Sequence, residues 1–140
     1  MKRGTLLDTH VWIWLVFDER RRANAEAWKE IDDCSLTNSL AVSEISFWEI
    51  AVKATTGRLE LNKDVAVWLR EAASAPGIGV IQVDRDTLVK SALLEMQRDP
   101  ADCILVATAI RYGIRLATAD AVLIEYAQRN KQLHILDMRP

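Results

Sequence analysis

Four acids stand where their neighbours would not lead one to expect an acid. Asp8 closes the apolar run in "TLLDTH", and "VWIWLVF" follows almost at once. Asp120 closes "IRLATAD" in the same way. Asp102 lies three residues after Asp99 in "DPAD", and Glu49 sits among Ile45, Phe47, Trp48, Ile50, Ala51 and Val52. Carboxylates brought together repel one another and raise each other's pKa values. A hard divalent cation, Mg²⁺ or Mn²⁺, relieves that repulsion; it takes oxygen ligands and keeps some of its waters. At a phosphodiester such an ion helps generate hydroxide from water and stabilises the attacking and leaving oxygens of an in-line displacement. This chemistry needs acids. The sequence offers neither a plausible nucleophilic triad nor Cys/His zinc spacing.

Each acid also has a plainer reading. Asp8 and Asp120 suit the N-caps of helices beginning at Thr9 and Ala121. Asp102 with Asp99 resembles a capping box with Asp in place of Glu or Gln. Asp99 itself is read as a cap. Glu49 suits an i,i+4 pair with Lys53, worth only about 0.2–0.5 kcal/mol. Ser46, Glu49 and Lys53 form a narrow polar stripe on an otherwise apolar helix, and so weak a pair poorly offsets the desolvation of both charges.

The elements that must position these acids alternate between strand and helix. Short apolar strands are expected at Thr5–Asp8, Ser39–Ser43, Gly79–Val83, Ile114–Asp120 and Leu133–Asp137. Helices are expected at Thr9–Phe17, Asp18–Asp33, from Glu44 to near Gly57, Asp64–Gly77, Arg85–Gln97, from Pro100 with Asp99 before it to Gly113, and Ala121–Asn130. Such alternation predicts an α/β fold with a parallel sheet of about five strands and helices on both faces. Ligands in such folds bind beyond the carboxyl ends of the strands. Asp8 and Asp120 each end a strand, Asp102 opens a helix, and Glu49 lies one turn into the helix after the second strand, so all four can share one rim.

The chain has 140 residues, which suits a single domain, 1–140, with one sizeable core. Half of it is hydrophobic, 27% is charged and the formal net charge is -2, so bulk charge does not mark a nucleic-acid coat protein, though it leaves room for an enzyme that meets nucleic acid at one site. Two cysteines, Cys34 and Cys103, are too few for a disulfide framework. The start "MKRGTLLD" does not read as a signal peptide, and no apolar stretch reaches membrane-spanning length. A cytoplasmic protein without a membrane partner is expected.

"LLDTHVWIW", "ISFWEIAVKATTGRLEL", "DPADCILVATAI" and "LATAD" occur in this order across the whole chain. In that order they resemble the PIN-domain ribonucleases, specifically the toxins of VapBC-type toxin–antitoxin pairs. The resemblance implies a PIN-like fold and a metal-dependent endoribonuclease whose acidic quartet, Asp8, Glu49, Asp102 and Asp120, binds Mg²⁺ or Mn²⁺. It gives Thr118 and Ser46 supporting positions beside that quartet. The implied partners are a VapB-type antitoxin, an RNA substrate and a second copy in a homodimer. Two positions depart from the pattern. Gln97 stands where a His is frequent, and Cys103 where an Arg is frequent.

Other features have milder readings. His10 is either a ligand or acid–base group near Asp8 or a hydrogen-bonded structural residue, and His134 reads as structural. Trp12, Trp14, Trp48 and Trp68 fall at apolar helical spacing and read first as core, with a share left for a partner groove. Arg20, Arg21 and Arg22 read as a solvated face or a phosphate contact. An aspartyl-phosphate phosphatase would need a second Asp where His10 stands. A receiver module would need a Lys after the last strand, where only Met138, Arg139 and Pro140 follow. A non-catalytic α/β scaffold is the remaining alternative, if the acids are only caps.

Overall fold

The structure is a computed structural model that describes residues 4–140; Met1, Lys2 and Arg3, part of the "MKRGTLLD" start read above, lie outside the described residues. Five strands, β1 (Thr5–Leu7), β2 (Leu40–Ser43), β3 (Ile78–Ile81), β4 (Arg115–Thr118) and β5 (Ile135–Asp137), form one sheet in the order β3-β2-β1-β4-β5. Every neighbouring pair is parallel, with Leu6 opposite Leu116 and Leu7 opposite Ala117. Parallel strands cannot be joined by tight turns, so helices carry each crossover. These are α1 (Thr9–Val16), α2 (Ala25–Leu36), α3 (Glu44–Thr55), α4 (Val65–Ala73), α5 (Arg85–Leu93), α6 (Pro100–Tyr112) and α7 (Ala121–Arg129).

The central strands β1, β2 and β4 are largely buried because both of their faces are covered, whereas the edge strand β3 is partly exposed. Leu6 and Leu116 pack with Leu105 and Val106 of α6 and Leu123 of α7. Leu7 and Ala117, one residue on, face the opposite layer, with Trp12 of α1, Trp28 of α2 and Trp68 of α4. α3 serves both layers, Ile45 on one side and Ile50 on the other. Among the described residues no helix is long and apolar enough to cross a membrane.

One expected element is corrected. The stretch from Asp18 to Asp33 is not one helix. Asp18 has a φ of 54° in the left-handed region, Arg20–Arg22 form a 3-10 turn, and Ala23 is extended before α2 begins at Ala25. Asn24 opens α2 by accepting from the Ala27 N–H, and its amide donates to the carbonyls of Asp137 and Arg139. Arg20 turns back onto α2, pairing with Asp32 at 2.8 and 3.0 Å and lying over the Trp28 ring. Arg20 is therefore paired though still partly exposed, while Arg21 and Arg22 are exposed as a solvated face would have them. The remaining helices end within a few residues of expectation. α6 ends at Gly113, whose φ of 64° suits glycine, and α5 ends four residues early.

Candidate active site

The strand order places the site. From β1 the chain steps to β2 and β3 on one side and later returns to β4 on the other. The crossovers on the two sides part between β1 and β4, and a crevice opens there beyond their carboxyl ends. Asp8 directly follows β1, and Asp120 follows β4 by two residues. One pocket of about 370 Å³ at this place is lined by Asp8, Glu49, Asp102 and Asp120, with His10, Arg98 and others around them. Four acids from four separate segments thus meet at one rim.

Asp8 occupies the N-cap position of α1 but makes no capping hydrogen bond with its side chain. Its carboxylate, 7% exposed, accepts instead from the Thr118 hydroxyl at 2.6 Å. Thr118 in turn accepts from the backbone N–H of Asp120 at 3.0 Å, so one buried hydroxyl ties the two strand ends together. Asp120 does cap its helix, through one oxygen that accepts from the Val122 and Leu123 N–H groups. Its other oxygen faces the pocket and accepts from Arg98. The cap reading therefore fails for the side chain of Asp8. For Asp120 it holds, and it accounts for only half of the carboxylate.

Asp99 caps α6 by accepting from the Asp102 N–H at 3.0 Å. Pro100 follows at the first helical position, where its missing N–H costs nothing. Asp102 does not return the capping contact among the described residues; it accepts from the Arg98 guanidinium at 3.0 Å. Glu49 forms no ion pair with Lys53 among the described residues. It accepts from the Thr9 hydroxyl at 2.5 Å. Thr9 lies 2.6 Å from the Ser46 hydroxyl. A threonine hydroxyl has one proton, spent here on Glu49, so Ser46 is the donor to Thr9. The result is a buried relay, Ser46 to Thr9 to Glu49, that fixes the carboxylate of α3 against the start of α1.

Electrostatics mark the acids as a group. Burial pushes the Asp8 carboxyl above its ordinary range, against the pull of the Thr118 hydroxyl, and Asp120 adds to the rise. Burial raises Glu49 too, with Asp8, Asp102 and Asp99 adding to it. Asp102 is pushed up to about 6, first by burial and then by Asp99, Asp8 and Asp120, with Arg98 opposing. Uncompensated negative charge in one half-buried place calls for a cation. Arg98 meets part of that need by bridging Asp102 and Asp120. Among the described residues no three His, Cys, Asp or Glu side chains stand close enough to enclose one ion as they are placed. The donors of the four acids are all oxygens, and a guanidinium already stands between two of them. That donor set fits a hard divalent cation.

Sequence reasoning missed two members of this site. Thr9 sits inside the "DTH" that opened the question, but only the packing of α1 on α3 brings it to Glu49. Arg98 precedes "DPAD", and nothing in its sequence neighbourhood marks it as part of the site. His10 is exposed at the pocket edge, with its ring 6.4 Å from that of Trp14. Cys103 is buried, and its thiol lies 3.8 Å from the Arg98 carbonyl, so this departure from the family pattern packs beneath the backbone that carries Arg98.

Residues 5–129 match the sequence profile of the PIN domain family. Ribonuclease VapC22 of Mycobacterium tuberculosis is 34% identical over 118 residues, which span 82% of this chain and 85% of that protein. VapBC2 from Rickettsia felis, solved bound to a DNA fragment from its promoter, shares the fold with a TM-score of 0.67 at 13% identity, covering 96% of this chain and 98% of the other. FitAB bound to the IR36 DNA fragment gives 0.57 at 19% identity, covering 94% and 92%. A toxin–antitoxin complex from Klebsiella pneumoniae gives 0.54 at 21% identity, covering 84% and 87%.

Proposed function

Because the chain belongs to the PIN-domain family, in its VapC branch, we propose that it is a metal-dependent endoribonuclease, the toxin of a toxin–antitoxin pair. The observation that carries this reading is the meeting of Asp8, Glu49, Asp102 and Asp120 in one pocket at the switch point of the sheet. These four would hold Mg²⁺ or Mn²⁺. Such an ion, when bound, supplies an acidified water and positive charge against the phosphate oxygens. The chain's own residues do the positioning. Thr118 holds Asp8 and the Asp120 backbone, and the relay from Ser46 through Thr9 holds Glu49. Residues that orient metal ligands in this way typically change affinity or activity by about 10–100-fold when removed.

The natural test is metal removal. Cleavage of RNA by the purified protein should stop in EDTA and return with excess Mg²⁺ or Mn²⁺. Undiminished cleavage after thorough chelation would end the metal reading. Arg98 supplies a second test. It contacts Asp102 and Asp120, so while it stays there it competes for the same oxygens. Arg98→Ala should tighten Mn²⁺ binding in a calorimetric titration, because the competent state no longer has to displace a guanidinium. The same change should lower the stability of the metal-free protein, where Asp102 and Asp120 lose the cation that bridges them. Unchanged Mn²⁺ affinity would show that Arg98 does not occupy the ion's place.

For the antitoxin partner, support comes from the relatives, two of whose structures are named as VapBC or toxin–antitoxin complexes. A cleft of about 600 Å³ between the end of α1 and α4, lined by Leu15, Phe17, Leu61 and Trp68, offers such a partner an apolar seat. For the second copy of a homodimer, support comes from the exposed Leu88, Val89 and Leu93 of α5. The domain in this reading is the whole chain, 1–140, and its setting is the cytoplasm.

A further inference from the structure

A second groove runs into the acidic pocket, and nothing in the proposed chemistry uses it. It measures about 520 Å³, within the range of small-ligand sites, and is walled by Ile45 and Val52 of α3 and by Pro100 and Ala101 at the start of α6. It shares Glu49, Lys53 and Asp99 with the acidic pocket, so the two adjoin along these side chains. Trp48, the residue next to Glu49, lines it and is 62% exposed. Helical spacing alone would assign this indole to the core, yet the fold leaves most of its surface in solvent.

Two cations line the same groove as the indole, Lys53 and Arg58. Lys53 lies one turn beyond Glu49 on α3. Arg58 is brought back over the helix end by Gly57, whose φ is 76°, and by the hydrogen bond from the Arg58 N–H to the Lys53 carbonyl at 2.9 Å. The Arg58 Nε donates to the Thr56 hydroxyl at 3.1 Å. Neither cation has a carboxylate within ion-pair distance among the described residues, whereas Arg98, Arg111, Arg115 and Arg139 each have at least one. An exposed aromatic side chain in one groove with cations that carry no carboxylate partner among the described residues is an arrangement that suits single-stranded nucleic acid. The base stacks on the ring, and the charges follow the backbone.

We propose that this groove is a nucleobase subsite: one unpaired base of an RNA substrate lies against Trp48, and its flanking phosphates are held by Lys53 and Arg58. The proposal rests on the ribonuclease reading and deepens it, because a strand crossing the four acids passes directly onto the groove through Glu49. It predicts a substrate that is single-stranded next to the cleaved bond. A duplex keeps its bases stacked inside and cannot offer one to the indole.

The test compares wild type, Trp48→Ala and Trp48→Phe for binding of a labelled single-stranded RNA and of an RNA duplex, in EDTA so that the strands stay intact. Stacking on one aromatic ring is lost in Trp48→Ala, so the Kd for the single strand should rise by about fivefold to a hundredfold. Trp48→Phe should recover most of it, and duplex binding should hardly move. Lys53→Ala and Arg58→Ala should each flatten the salt dependence of single-strand binding. The indole is exposed, so melting curves of all variants should stay near wild type. Equal single-strand binding by wild type and Trp48→Ala overturns the subsite while leaving cleavage intact as evidence for the enzyme. A Trp48→Ala protein that binds RNA normally but sediments differently, or loses an antitoxin, assigns the groove to a protein partner and likewise overturns it. Wild type that neither binds nor cleaves RNA would sink the ribonuclease reading along with the subsite.

Discussion

Asp8→Asn should lose at least about a hundredfold of its RNA cleavage, yet melt at the same temperature as wild type or higher when metal is absent. Both halves follow from where the side chain sits. Asp8 is buried, takes no part in capping α1, and accepts from Thr118 at 2.6 Å. Asparagine keeps an oxygen for that hydroxyl and removes only the charge. Burial holds the Asp8 carboxyl above its usual range, so its charged form costs the folded state stability above that pKa. Neutralising it removes the cost. For a domain of this size, each 1 kcal/mol regained corresponds to roughly 3–6 °C in Tm. If the chemistry runs through ion-held water, the same neutral side chain removes a ligand, and removing even an orienting neighbour costs about 10–100-fold. The cap reading forecasts the opposite pair of results, unchanged cleavage and a slight loss of stability at most. Single-turnover cleavage and calorimetric melting in EDTA separate the two. An active Asp8→Asn protein would return Asp8 to an ordinary structural role.

How much of this was legible in the sequence depended on how local the cause was. The five strands were legible because each is a short, mostly apolar run; the central ones are buried on both faces, as Leu6 and Leu7 are, while the edge strand β3 is partly exposed. The start of α6 was legible because Asp99, Pro100 and Gly113 each satisfy a backbone requirement within one turn. The break before α2 was obscured by charge: Arg20, Arg21 and Arg22 look helical, but Asp18 turns left-handed, and the cap is Asn24. Asn24 was a readable signal, being an N-cap residue placed just before "AEAW". Arg98 and Thr9 carried no such signal. Each acts across the fold, Arg98 on Asp120 and Thr9 on Glu49, and a single sequence does not encode that pairing locally. Trp48 was misleading for the converse reason, since apolar spacing on α3 reports a face of the helix and not whether that face finds a cover.

Asp99 and Asp102 offer the sharpest contrast, because three residues separate them and they should fail in different ways. Asp99→Ala removes the acceptor for the Asp102 N–H and should cost on the order of 1 kcal/mol, offset in part by the repulsion it relieves at Asp102 and Glu49. It should cleave RNA at low temperature. Asp102→Asn should not cleave, and its stability should depart from wild type in a pH-dependent way. The Asp102 carboxyl is raised from 3.8 to about 6. Between those values the folded protein holds a proton that the unfolded chain has already released, so this group's contribution falls as pH rises through the window. Above about pH 6 the charge is in place and its full cost is felt. The side chain is only 14% exposed, so solvent screens little of it. In EDTA, Asp102→Asn and wild type should therefore unfold alike near pH 4 and diverge above pH 6, with the variant more stable by on the order of 2 kcal/mol. Urea unfolding at several pH values measures that divergence directly. A constant difference across the range would mean that Asp102 carries no unfavourable charge, and the case for four acids waiting on a cation would lose its electrostatic support. A divergence paired with lost cleavage would tie the instability and the chemistry to one carboxylate.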